Sequence, residues 1–290
     1  MRTSWGSATD RGRVRALNED ALLAYPPVFL VADGMGGHEA GDVASRLAVE
    51  QFSQLLGRGT ATAEDVHACF ERTAERLTEA IGADQVAGTT VAGVVVAELD
   101  GGAYWLVFNI GDSRVYRLAA GELEQISVDH SVVQDLLDAG DLSPEEAAVH
   151  PERHVITRAV GGGLAPEPDY WLLPVGPTDR LLICSDGLTS ELDDAELRAI
   201  LLAHEDPQDA AQELVRAALG AGGKDNVSAV VVDVARAQRT ADMERTADLE
   251  HLRPPTPGAP PARSWDEAAD GDTVPRTTAP QQARTPEVLP

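Results

Sequence analysis

Four aspartates stand where apolar runs end or begin. Asp33 closes the run 28–32 and opens Gly34-Met35-Gly36-Gly37, and Asp112 follows the run 103–110 within Gly111-Asp112-Ser113. Asp186 follows 181–185 in Ser185-Asp186-Gly187-Leu188, and Asp225 precedes a Val-rich run in Lys224-Asp225-Asn226. Each of them alone is explained by a turn, because Asp accepts local backbone hydrogen bonds and Gly permits positive φ. As a set they are acids at strand ends, which a stack of sheets could gather at one edge. Carboxylates within a few Å raise one another's pKa unless a cation neutralises them. Oxygen ligands without His or Cys pairs nearby point to Mg²⁺ or Mn²⁺ over zinc. Glycines beside Asp33 and Asp186 let a backbone carbonyl or a water approach closely.

A cation of the chain's own lies in Gly12-Arg13-Val14-Arg15-Ala16-Leu17-Asn18-Glu19-Asp20. The Arg15 guanidinium beside metal-binding carboxylates would suit a phosphate, which it can hold by two parallel hydrogen bonds. A surface ion pair with Glu19, four residues on, is the plainer alternative.

These residues need elements to position them. Runs 20–25 and 28–33 read as strands joined by a Pro26-Pro27 turn. Over 39–56, Val43, Leu47, Phe52, Leu55 and Leu56 fall on one face of a helix, and a second helix covers 63–81. Runs 88–99, 103–110 and 113–118 read as three strands of an antiparallel meander, with a fourth at 123–126. A short helix at 131–140 precedes a polar stretch, 141–163. Strands follow at 171–174 and 179–185, then amphipathic helices at 193–204 and 207–220, and a last strand at 226–235. Strands in runs and helices in pairs predict an α+β fold of antiparallel sheets covered by helices, not a regular βαβ winding.

Composition narrows the function. The 290 residues carry 48 acids against 23 basic residues, a net charge of −25. That excess repels nucleic acid and anionic membranes, both of which are bound largely by neutralising phosphate. No apolar run reaches the ~20 residues that span a bilayer, and the N-terminus lacks the apolar core of a signal peptide, so a cytoplasmic protein is expected. Cys69 and Cys184 are too few for a disulfide framework or a zinc cage and read as buried structural thiols. Nine of the 18 prolines fall between Pro254 and Pro290. The chain therefore divides into a catalytic domain, 1–235, and a Pro-, Thr- and Ala-rich tail, 236–290. The tail cannot bury enough surface to offset its chain entropy and is expected to be disordered.

Arg15-x-x-Asn18-Glu19-Asp20, Asp33-Gly34-Met35-Gly36-Gly37-His38, Gly111-Asp112-Ser113-Arg114, Ser185-Asp186-Gly187-Leu188 and Asp225-Asn226 resemble, in order and spacing, the motifs of the PP2C-type (PPM) metal-dependent protein serine/threonine phosphatases of bacteria. The resemblance runs from about Ser4 to Ala235. It implies a four-layer αββα sandwich of two antiparallel sheets flanked by helix pairs, with two Mn²⁺ or Mg²⁺ ions at one end. Asp33 would bridge both ions, Asp186 and Asp225 would complete one, and the Gly34 carbonyl would bind the other. Asp112 with Asp186 matches a third-metal site. Glu19 and Asp20 would orient the attacking water, Arg15 would hold the phosphate, and 141–163 takes the place of a flap beside the site. The implied reaction is in-line attack of a metal-activated water on phosphorus, without a phosphoenzyme. Some relatives place a His directly after Asp-Gly as general acid. Here that position is Met35, which leaves His38 or a metal-held water as the alternatives. The implied partners are phosphorylated proteins and serine/threonine kinases, and the protein is expected to be a monomer.

The sequence argues against two rival readings. A cysteine-based phosphatase needs an Arg six residues after its nucleophile, but Glu75 and Ser190 stand there, which excludes it. A metal-free binding domain of the same shape would lack one of Asp33, Asp186 and Asp225, and all are present.

Overall fold

Apolar residues two apart along a strand face the same side, so a run that is apolar throughout must be covered on both faces. The computed structural model shows how that is achieved, and it describes residues 1–36, 40–81, 87–147 and 149–234. His38 and the tail 236–290 lie outside the described residues. The first half contains β1 (Thr3–Asp10), β2 (Asp20–Tyr25), β3 (Val28–Gly36), α1 (Ala40–Phe52), α2 (Ala63–Ile81), β4 (Ala87–Thr89), β5 (Val91–Leu99), β6 (Gly102–Ile110), β7 (Arg114–Ala119) and β8 (Glu122–Gln125). The second contains α3 (Val132–Ala139), α4 (Pro144–Ala147), β9 (Val160–Gly161), β10 (Asp169–Pro174), β11 (Arg180–Cys184), α5 (Asp186–Thr189), α6 (Asp194–Ala203), α7 (Pro207–Ala221) and β12 (Val227–Val234).

Two antiparallel sheets stack face to face. One has the order β1-β12-β11-β7-β8, the other β10-β6-β5-β3-β4-β9, with β2 paired to β3. In β3, Phe29 and Val31 meet the opposite sheet, while Val28, Leu30 and Ala32 meet the layer of α1 and α2. In β11, Leu181 and Ile183 face the other sheet, and Leu182 and Cys184 pack with residues of α6 and α7. The result is the four-layer αββα sandwich that the motifs imply. Each fully buried large side chain, such as Trp105 or Phe29, contributes about 1.5–3 kcal/mol to it. Cys69 and Cys184 are buried in separate outer layers, with thiols pushed up to about 12 by burial.

The helix ends follow their local signals. Asp193 and Glu196 form a reciprocal capping box on α6. Asp206 caps α7 ahead of Pro207, and Ser131 and the left-handed Gly140 bracket α3.

Four expectations need correction. The 103–110 and 113–118 runs are not neighbours in one meander: β6 pairs with β5 and β10, while β7 pairs with β11 and β8 in the other sheet. Gly111, at φ +106°, turns the chain from one sheet to the other. The 88–99 run is interrupted at Thr90, whose hydroxyl accepts the Asp33 N–H (3.1 Å). The buried face of α1 is made of Ala44, Ser45, Ala48 and Phe52, with Val43 and Leu47 only half-buried. Small residues are needed there because α1 begins directly against β3, where a Cβ on Gly34 would lie 2.1 Å from the Gly41 carbonyl oxygen. Finally, β1 was not anticipated. It completes the edge of its sheet by pairing with β12 from Thr3↔Val234 to Asp10↔Val227.

Candidate active site

Asp33 sits in β3 opposite Asp20 of β2. Its backbone is held from the other side, since its carbonyl accepts Thr90 N (2.9 Å) and Thr89 Oγ1 (2.9 Å). Thr90 Oγ1 also bonds Ser113 Oγ at 2.8 Å, which ties Asp33 to the inter-sheet turn carrying Asp112. Asp186 opens α5 at the end of β11, and Asp225 stands just before β12. Strands of both sheets thus deliver Asp33 from within β3, Asp112, Asp186 and Asp225 from strand ends, and Asp20 to one end of the sandwich.

Their electrostatics show that they are neighbours. Burial first, then the charges of Asp20, Asp186, Asp112 and Asp225, hold the Asp33 carboxyl well above its ordinary range. Asp20 and Asp112 are each pushed up to about 7, chiefly by burial, with Asp186 adding repulsion to both. Asp20 Oδ2 accepts Ser185 Oγ at 2.8 Å, whereas its buried Oδ1 has no partner. Among the described residues, no three His, Cys, Asp or Glu side chains are already drawn into a metal cage. The carboxylates are neighbours that repel one another. Divalent cations fit this donor set, because they relieve the repulsion and accept hard oxygen ligands.

Arg15 reaches the cluster. Its Nη2 bonds Asp225 Oδ2 at 2.5 Å, and this contact foremost raises the guanidinium pKa, with Asp33 and Glu19 adding to it. The sequence-level alternative of a local pair with Glu19 is therefore replaced by a contact across 210 residues. Glu19 is held by its backbone: its N–H donates to Asn226 Oδ1 (2.8 Å), and its carbonyl accepts Gly34 N (3.1 Å) and Ser45 Oγ (2.6 Å).

Residues 12–219 match the family model described as "Protein phosphatase 2C". The chain belongs to the protein phosphatase 2C family. It is 35% identical over 239 residues to the serine/threonine phosphatase stp of Listeria innocua serovar 6a, covering 78% of this chain and 93% of that protein. Its fold matches the crystal structure of the Mycobacterium tuberculosis serine/threonine phosphatase PstP/Ppp with a TM-score of 0.74 and 36% identity, over 81% of this chain and 99% of that one. A second match is the catalytic domain of PstP in complex with two manganese ions, with a TM-score of 0.71 and 36% identity, over 80% and 98% of the two chains. The protein is a metal-dependent serine/threonine phosphatase, and among its described residues no helix is long and apolar enough to cross a membrane.

Three further residues shape the phosphatase's site without a local sequence pattern that assigns them a role. Asn226 is buried and clamps the N-terminal loop, with Nδ2 donating to the carbonyls of Arg11 and Leu17 (both 2.9 Å) while Oδ1 accepts Glu19 N. Its place in the Asp225-Asn226 motif was the available signal. Thr90 had no signal, because its effect is on a strand distant in sequence. His154, in the polar 141–163 stretch, stands with Nδ1 3.7 Å from Asp186 Oδ2, and this neighbour chiefly raises its pKa. Met35 points toward Gly88, where an added Cβ would lie 2.9 Å from its Cε.

Proposed function

We propose that the carboxylate cluster holds a pair of Mn²⁺ or Mg²⁺ ions and that the phosphatase uses them to hydrolyse phosphoserine and phosphothreonine on proteins modified by serine/threonine kinases. The observation that carries this reading is the gathering of Asp20, Asp112, Asp186 and Asp225 around the Asp33 carboxyl. Asp33 is assigned to both ions, Asp186 and Asp225 to one, the Gly34 carbonyl to the other, and Asp112 with Asp186 to a third. Bound divalent cations lower the pKa of water and polarise phosphoryl oxygens, so displacement at phosphorus needs no phosphoenzyme. Asp20, pinned by Ser185 through Oδ2 and opposite Asp33, would help position the attacking water. Glu19, fixed through its backbone, would help orient that water.

Arg15 uses one nitrogen on Asp225, and its side chain is half exposed, so its other N–H donors can hold two phosphoryl oxygens. Arg15→Ala is expected to raise KM for a phosphothreonine peptide by about tenfold with a smaller change in kcat, since the grip acts on ground and transition states alike. Arg15→Lys should restore only part of the loss, because Lys lacks the planar fork. An unchanged kcat/KM in Arg15→Ala would remove Arg15 from the site.

The metal assignment is tested by exhaustive chelation. Hydrolysis of a phosphothreonine peptide should fall to background and return on adding Mn²⁺ or Mg²⁺, with calorimetry of the metal alone giving at least two sites per chain. Full activity after chelation would overturn it. The assignment is extended to a cytoplasmic monomer with residues 1–235 as the catalytic unit. The end of β12 at Val234 and the family match within 12–219 support that boundary.

A further inference from the structure

Beside the carboxylates lies a cavity of about 620 Å³, within the size range of ligand pockets. Its walls are mainly apolar, formed by Met35, Ile110, Ala159, Leu164 and Ala165, and four glycines leave its floor open. We propose that this cavity is a subsite for one apolar side chain, carried two or three residues from the phosphorylated serine or threonine of a protein substrate. The inference rests on the phosphatase reading above and adds a determinant of which phosphoproteins are chosen.

The first argument is continuity with the site. Three chain segments line both. Met35 and Gly36 extend β3 directly beyond Asp33 and Gly34, Ile110 is two residues before Asp112, and Thr157 is three residues after His154. A strand rises about 3.3 Å per residue, so the Met35 wall begins about 7 Å from Asp33 along β3. An extended peptide with its phosphoryl group at Asp33 therefore reaches the cavity with its second or third neighbouring residue.

The second argument is chemistry. Leu164, 76% exposed, presents a large apolar side chain on the cavity wall. Arg158, which lines the cavity, donates Nη1 to Asp169 Oδ1 (3.2 Å) and lies near His130 Nε2 (3.3 Å). Glu167 is acidic and also lines the cavity. Glu167 repels an anionic occupant, whereas an aliphatic one would exchange water for apolar walls. Gly88 keeps the floor low: a Cβ there would come within 2.9 Å of both Met35 Cε and the Val160 carbonyl oxygen.

The test uses the full chain with Mn²⁺ and phosphothreonine peptides that differ at one position, Leu against the near-isosteric, uncharged Asn, scanned from three residues before to three after. The expected result is a preference for Leu of about tenfold or more in kcat/KM at a position two or three residues away. Two substitutions at exposed positions should erase it. Ala165→Trp fills the cavity and Leu164→Asn strips an apolar wall, and each should bring the ratio to within about twofold. Thermal melts report whether each variant is folded, and Leu164→Asn decides alone if Ala165→Trp is not. Equal turnover of Leu and Asn peptides at every position would overturn the subsite and leave the phosphatase reading intact. A preference that survives both substitutions would place the determinant elsewhere and also overturn it. Failure to hydrolyse any phosphopeptide with Mn²⁺ would overturn the phosphatase reading, and the subsite with it.

Discussion

Asp33→Asn is expected to lower kcat toward a phosphothreonine peptide by about 10²-fold or more, with no recovery at saturating Mn²⁺. The amide keeps the size of the side chain but supplies one neutral oxygen where the proposed ion pair needs a bridging carboxylate. The same substitution should have the opposite effect on the metal-free fold. Burial and four neighbouring carboxylates hold the Asp33 carboxyl well above its ordinary range, so its ionised form opposes folding at neutral pH. In chelator, Asp33→Asn should therefore melt above the parent, by about 2–4 °C for each kcal/mol of repulsion relieved. Adding Mn²⁺ should raise the Tm of the parent and leave that of the variant nearly unchanged. A variant with parental kcat, or one that gains the same Tm from Mn²⁺, would show that Asp33 is not the centre of the metal site. The two measurements together separate a lost ligand from a damaged fold.

Asn226→Ala should damage both stability and catalysis. Three hydrogen bonds end at this side chain, joining the start of β12 to Arg11, Leu17 and the Glu19 N–H. The side chain is 4% exposed, so its truncation removes three hydrogen bonds at once from a packed position. The cost is about 3 kcal/mol, or roughly 6–12 °C in Tm for a domain of this size. The loop 11–19 carries Arg15 and Glu19, so kcat/KM should fall further than the loss of folded protein explains. Asn226→Asp keeps an acceptor for Glu19 N–H and removes both donors, and it should lie between Ala and the parent in Glu19-dependent activity while still melting low. A Tm within about 1 °C of the parent for Asn226→Ala would remove the clamp.

Local signals were legible in the sequence wherever the physics is local. The helix at Ala63–Ile81 and the strand at Asp20–Tyr25 follow from periodicity, and the starts of α6 and α7 from Asp193, Asp206 and Pro207. The placement of Asp112, Asp186 and Asp225 at strand ends was also readable, because a carboxylate after an apolar run marks where the chain leaves the core. Asp33 instead lies inside β3, which runs on to Gly36 to pair with β4. Less readable was the buried face of α1. Hydrophobicity alone favours Val43 and Leu47, while the close approach of Gly34 and Gly41 selects Ala44, Ser45 and Ala48.

The amino-acid sequence by itself thus determined most of the elements, the likeness to the protein phosphatase 2C family and the candidate acids. Tertiary structure decided their company. Nothing near Arg15 in the chain indicates Asp225, and nothing near Asp33 indicates Thr90. These partners are 210 and 57 residues apart, and they meet only because strand pairing closes the loops between them. The switch of sheets at Gly111 is of the same kind. An apolar strand has the same pattern in either sheet, and only the partners available at its edges decide which one it joins. The cavity beside the site follows from that pairing as well, since its walls come from β3, β4, β6 and the 157–167 segment.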